Sequence, residues 1–160
     1  MTTKKYSGEK LLLFVLAVLV VLLFAACGSK QTRGEPPMVR MNELSHQDNT
    51  LSLQLSIRNI NDVPMEVLEI DFTMLVNDND FIVYSGPANI NVGANSTENW
   101  TLEAEESSSN RDHLNQLENG EINSLPYVMK GSIKSAKDSN LRFEYEGHIY
   151  PLPGRPGYFR

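Results

Sequence analysis

The chain has 160 residues, 41% of them hydrophobic, with 14 Lys and Arg against 20 Asp and Glu and a net charge of −6. One cysteine excludes an internal disulfide, and the acidic balance excludes a surface made for nucleic acid or for bare anionic lipid.

The first element is a targeting segment. Lys4, Lys5 and Lys10 precede an uncharged run from Leu11 to Cys27, LLLFVLAVLVVLLFAAC. A basic start, an apolar stretch and small residues at the exit form a secretory signal, whose basic end stays on the cytoplasmic side. The exit, Phe24-Ala25-Ala26-Cys27-Gly28, resembles the bacterial lipobox, with Phe24 where Leu is usual. In lipobox proteins the thiol is alkylated with diacylglycerol and the chain is cut just before it. The resemblance implies a signal peptide over 1–26 and Cys27 as the lipidated first mature residue. It also accounts for a lone thiol in an exported chain. The alternatives are a conventional cleaved signal or an uncleaved helix, and for the helix the run falls slightly short of the ~20 residues of a membrane span. Gly28-Ser29 follows the Cys, with no Asp resembling the inner-membrane retention signal. The expected location is therefore the outer membrane, facing the periplasm.

Residues 1–26 carry three lysines and one glutamate, so the mature charge would be −8. Attachment to a membrane must then come from acyl chains, of which two or more hold stably. Residues 27–37 are polar with Gly and Pro and read as the lipidated Cys and a flexible tether. What remains is enough for one domain with one core.

Period-2 alternation dominates that domain. In Leu51-Ser52-Leu53-Gln54-Leu55-Ser56-Ile57-Arg58 every odd position is apolar, which is a strand with one buried and one wet face. Leu68, Ile70, Phe72, Met74 and Val76 repeat the pattern, as do Leu141, Phe143, Tyr145 and Ile149. Turns at 77–80, 93–96 and 137–140 are rich in Asn, Asp, Ser and Gly, which bond back to the backbone or accept left-handed dihedrals. The expectation is about seven strands, 38–44, 51–59, 66–76, 81–85, 97–104, 126–134 and 141–150. They would form an all-β antiparallel sandwich of immunoglobulin or fibronectin III type over 38–155, with a tail over 156–160. Its expected core includes Leu53, Leu55, Ile57, Ile70, Phe72, Trp100, Phe143 and Tyr145. Residues 107–120 read as one short helix, with serines for an N-cap, Gly120 at C′, and Leu114 and Leu117 closing an end of the sandwich.

Leu53 to Gly86 resembles the type 2 late embryogenesis abundant family, also described as the water stress and hypersensitive response domain. The matching residues are Asn59, Asn61, Val63-Pro64-Met65, Ile70, Phe72 and Ser85-Gly86, with Ile60 in place of the family's Pro. The closing Pro153 to Arg160 resembles the tail of bacterial lipoprotein members. The resemblance extends over about 38–160 and implies a β-sandwich with one helix, association with desiccation, and no known catalysis. The motif also has a physical reading as a sandwich corner. Asn59, Asn61 and Asp62 can satisfy backbone groups there, and Pro64 forbids a ladder hydrogen bond, so the next strand begins after it.

No pattern for chemistry emerges. His46, His113 and His148, expected in a turn, a helix and a late strand, have no partner at metal-ligand spacing. Asp78 with Asp80, and Glu103 with Glu105 and Glu106, lack the ligand number of a calcium loop and read as solvated charge. No nucleophile elbow or phosphate loop is present, and no cofactor is expected. Tyr145, Tyr150, Tyr158 and Phe159, with Arg155 and Arg160, form either a partner surface or a strand packed on the core. Three functions are open at this point: a non-catalytic stress-associated envelope protein, an interaction module docking an envelope protein partner, and an enzyme with a site assembled only in space.

Overall fold

The computed structural model describes residues 34–138 and 140–160. The signal segment, Cys27 and the tether before Gly34 lie outside the described residues.

The alternation in the sequence becomes two stacked antiparallel sheets. The strands in chain order are β1 (Met38–Gln47), β2 (Thr50–Arg58), β3 (Met65–Val76), β4 (Asn79–Val92), β5 (Thr97–Glu105), β6 (Leu125–Ser135), β7 (Leu141–Ile149) and β8 (Tyr158–Phe159). Helix α1 (Ser108–Glu118) lies between β5 and β6. One sheet has the order β5-β2-β1-β8 and the other β4-β3-β6-β7. The core lies between them, with Leu51, Leu53, Leu55 and Ile57 of β2 facing Ile70, Phe72 and Met74 of β3 and Met129 and Ile133 of β6. Each such side chain, once fully buried, contributes about 1.5–3 kcal/mol.

Two hairpins turn on two residues each. Asp48 and Asn49 have φ of 48° and 69°, and Asn77 and Asp78 have 49° and 61°. Left-handed dihedrals at both central positions are what a type I′ turn requires, and Asn and Asp adopt them with least strain. Bulges reset the alternation. Val39 is buried in β1, the register shifts after Met41, and the next buried residue is Leu44. In β3 the shift between Val67 and Glu69 leaves Leu68 half-buried in the bulge, not in the inward set where simple alternation puts it. A bulge inserts one residue, so every later side chain changes face.

Helix α1 has the expected caps. The Ser107 hydroxyl accepts from the Asn110 amide at 3.1 Å. At the other end the Gly120 amide donates to Leu117 and the Glu121 amide to Gln116, with Gly120 at φ 71°. That double bond with a left-handed C′ residue is a Schellman motif. Leu114 and Leu117 are fully buried, so α1 does close one end of the sandwich.

Three details depart from the sequence expectation. Strand β4 continues past Ser85 to Val92. Trp100 and Tyr145 are only partly buried and pack against the margin of the core. Trp100 stands edge-on to Tyr84 with centroids 5.2 Å apart, and this pair bridges the sheets between β4 and β5. The eighth strand is the chain terminus. Tyr150 and Arg160 exchange backbone hydrogen bonds at 2.8 and 2.9 Å, and Leu44 pairs with Phe159. Phe159 is completely buried, so for this residue the core alternative is the correct one.

Candidate functional site

The sandwich has two ends of different chemistry. The near pole holds the chain entry at Gly34, the β2–β3 corner, the β4–β5 turn and the β6–β7 loop. The far pole holds the β1–β2 and β3–β4 turns, α1 and the terminal hairpin.

The motif residues Asn59 and Asn61 meet at the near pole. Asn59 is fully buried. Its Nδ2 donates to the Val63 and Gly93 carbonyls at 2.8 and 3.0 Å, with a longer contact of 3.4 Å to Val92. Its Oδ1 accepts from both the backbone and side-chain nitrogens of Asn61 at 3.0 Å. Asn61 in turn accepts from the Glu35 amide at 2.8 Å and donates to the Glu35 carbonyl at 2.9 Å. Its own carbonyl accepts from the Asn95 amide at 3.0 Å. Two neutral amides thus join the chain entry, the corner and the β4–β5 turn. A buried polar side chain is tolerated when its bonds are made, and here both ends of the Asn59 amide are engaged. Pro64 is exposed immediately before β3, where its missing N–H breaks no ladder.

Beside this corner is a cleft of about 280 Å³. Val63, Pro64, Met65, Ala136 and Leu141 supply its apolar wall, Gly34 lines it, and Glu66, Lys137 and Asp138 are its charged residues. The Ala136 amide donates to Glu66 at 3.1 Å, and the Asp138 amide to Ser135 Oγ at 2.9 Å, so the β6–β7 side of the cleft is held in shape.

Ser85 and Gly86 are elsewhere. They pair across from Asp71 and Ile70 within the β3–β4 ladder. The Ser85 hydroxyl donates to Asp71 in an open trough on the outer face of the second sheet. Gly86 leaves room for the Tyr84 ring, whose hydroxyl would lie 2.9 Å from a Cβ there, and that hydroxyl donates to the Pro87 carbonyl at 2.8 Å. The motif therefore splits into a corner and a mid-sheet packing step.

The far pole holds an ionic cluster that the sequence does not announce. His46 is half-buried at the end of β1 and not in the turn after it. Its Nδ1 lies 3.3 Å from Glu106 Oε1 and its Nε2 3.5 Å from Glu118 Oε2. Glu106 is not solvated: its side chain is 2% exposed, and its Oε2 accepts from Arg111 Nε at 2.9 Å. Arg111 also donates to Asn49, and the Gly157 amide donates to Glu118. The cluster joins the β1–β2 turn, both ends of α1 and the terminal hairpin. The carboxylates lie on opposite sides of the imidazole and do not converge on one point. Among the described residues, no three His, Cys, Asp or Glu side chains are placed to hold a metal ion. The local sequence signal is Glu106 and Arg111 flanking a capping serine; the burial of Glu106 beside His46, 60 residues away, has no local trace.

Tyr127 is the other titratable group of note. Burial, and next the neighbouring Tyr145, push its phenol up to about 12, while the Met41 backbone and Arg40 act in the opposite sense. Of the terminal aromatics, Tyr158 lies under the Arg155 guanidinium at 3.8 Å and Tyr150 is exposed.

No protein-family model matches the chain, and comparison with curated protein sequences finds no match. Solved structures do resemble it. The solution structure of AT1g01470 from Arabidopsis thaliana is 14% identical, covers 81% of this chain and 91% of its own, and superimposes with a TM-score of 0.57. A putative late embryogenesis abundant protein, At2g46140.1, is 12% identical with a TM-score of 0.47, covering 97% of this chain and 98% of its own. A protein from Archaeoglobus fulgidus is 16% identical with a TM-score of 0.41, covering 75% and 98%. The likeness to the first of these lies in the fold: an antiparallel two-sheet sandwich with one short helix.

Proposed function

We propose that the chain is a non-catalytic envelope lipoprotein of the type 2 late embryogenesis abundant kind, anchored through Cys27 and acting during water loss. The observation that carries the reading is the corner at Asn59 and Asn61. The family's asparagine pair is here a clamp on Glu35, eight residues after the proposed lipidation site. The domain is thereby gripped at its root, at the pole where the tether enters. A short tether keeps a domain at high effective concentration on the surface it serves.

The likeness of fold to AT1g01470 is compatible with this reading, and the lipobox and lone Cys27 supply the anchor. Residues that bind a cofactor form no part of it, and the outer membrane is its proposed location. The test is survival through drying of a deletion strain carrying the native gene, Cys27→Ser, or neither. Survival restored by the native gene alone supports an anchored protective role. No difference among the three overturns it and leaves the docking of an envelope protein as the role to pursue.

A further inference from the structure

The cleft at the near pole has a shape and a position that the clamp does not require. Its exposed lining is mostly apolar, and the polar side chains of Asn61, Glu66, Asn91, Ser135, Lys137 and Asp138 border it. A pocket of this kind suits an apolar guest. At about 280 Å³ it is too small for a helix or a folded partner. Val63 beside it is 52% exposed, an apolar β-branched side chain left in the open at the tip of the corner.

The chain itself indicates what lies opposite. Gly34 forms part of the cleft wall, and it stands only seven positions after Cys27. Seven extended residues reach at most ~25 Å. If Cys27 is lipidated, the cleft is never far from the bilayer. The intervening segment, Gly28-Ser29-Lys30-Gln31-Thr32-Arg33, is polar and unsuited to an aliphatic wall.

We infer that the cleft formed by Val63, Pro64, Met65, Ala136 and Leu141 takes the end of one acyl chain of a bilayer phospholipid, and so sets the near pole down on the membrane. This rests on the anchor reading above. The tether then limits distance, and the cleft fixes orientation. The chain's own acyl groups are the anchor and remain in the bilayer.

The experiment uses the full lipidated protein reconstituted into phosphatidylethanolamine–phosphatidylglycerol vesicles that contain a phospholipid with a diazirine near the end of one acyl chain. Flotation with the vesicles, lost in Cys27→Ser, tests the anchor. Irradiation and peptide mapping test the cleft. Label is expected on residues 63–65 and 136–141. It should fall severalfold in Ala136→Phe, which fills the cleft from an exposed loop position, and in Val63→Asp, which puts a charge at its mouth. Unchanged melting of both variants shows that neither effect is misfolding. Native protein that fails to float overturns the anchor and the inference together. Protein that floats without label in these segments, or with label indifferent to both substitutions, overturns the cleft alone. A second arm places the diazirine in the protein's own acyl groups. Label in the cleft from that source alone also refutes a bilayer lipid as the guest.

Discussion

The two poles close the same sandwich with opposite chemistry. The near pole uses neutral amides: buried Asn59 and half-buried Asn61 hold three chain segments through bonds of 2.8 to 3.0 Å. The far pole uses charge, with Glu106 buried between Arg111 and His46. Desolvating a carboxylate cancels much of what its partners return, so a buried ion pair gives less net stability than its geometry suggests. A buried amide with its bonds made carries a smaller desolvation penalty, and removing it exposes the penalty of every partner left unpaired. The near pole should therefore be the more costly to break, although it holds no buried charge.

The first way to break the comparison is Asn59→Ala. It strips the Val63 and Gly93 carbonyls and the Asn61 amide of their partner at a site with little water. The expected loss is about 3–4 kcal/mol, from ~1–3 kcal/mol for each unsatisfied buried group. Urea midpoints measure it, and faster hydrogen exchange at Asn61 and Asn95 would localise it. Asn59→Asp keeps the volume but has no donor for the carbonyls, so it should lose at least as much at neutral pH. A loss under 1 kcal/mol in both variants would mean that water replaces the clamp.

Alkali sharpens the contrast through a buried phenol that belongs to one pole. Tyr127 lies toward the far pole opposite Val76, with its phenol raised from 10 to about 12 by burial first and Tyr145 second. Between these values the unfolded chain holds fewer protons than the folded one, so stability falls as pH rises. The contribution is complete below pH 10 and is lost through pH 12, amounting to about 2–3 kcal/mol. The comparison is with Tyr127→Phe, which should have a flatter profile over that window. Parallel profiles would show that the phenol is not held neutral by the fold.

The amide corner of the near pole was legible in the sequence and the ionic cluster of the far pole was not, for a physical reason. Asn59, Asn61 and Pro64 lie within six positions, and short polar side chains bonding to nearby backbone leave a local trace. The alternation in β2 and the caps of α1 were local too, and both appear in the structure. His46, Glu106, Glu118 and Gly157 come together only because β8 folds back beside β1, and no local pattern encodes that return. Leu68 was misplaced for a related reason, since a bulge has no strong residue signature and reverses parity for the rest of the strand. Phe159 shows the same limit. An aromatic residue before the last position reads equally as tail or core until its pairing with Leu44 is known.

Glu106→Ala comes next in size and bears on the energetic claim directly. It removes a side chain that is 2% exposed but leaves Arg111, 41% exposed, free to hydrate. The gain in desolvation offsets much of the lost attraction, so the expected loss is about 1–2 kcal/mol, below that of Asn59→Ala. Isothermal urea melts of both variants in one buffer decide the ranking. If Glu106→Ala costs more, the ionic pole is the stronger closure and the argument from desolvation is wrong here.

The smallest effect tests whether the far pole depends on its backbone as well as its charges. Gly120 follows α1 at φ 71°, and a Cβ added there would meet nothing within 4 Å. Gly120→Ala therefore isolates dihedral strain from packing. An L residue in the left-handed region costs about 1 kcal/mol relative to glycine. The Schellman bonds to Leu117 and Gln116 need that dihedral, and they sit one residue from Glu118, which accepts from Gly157 and faces His46. Fraying should spread from the end of α1 into the terminal hairpin, so amides from Gly157 to Arg160 should exchange faster while those of the Asn59 corner do not change. Exchange that speeds only at Gly120 and Glu121 would show that the helix end and the hairpin are not coupled through Glu118.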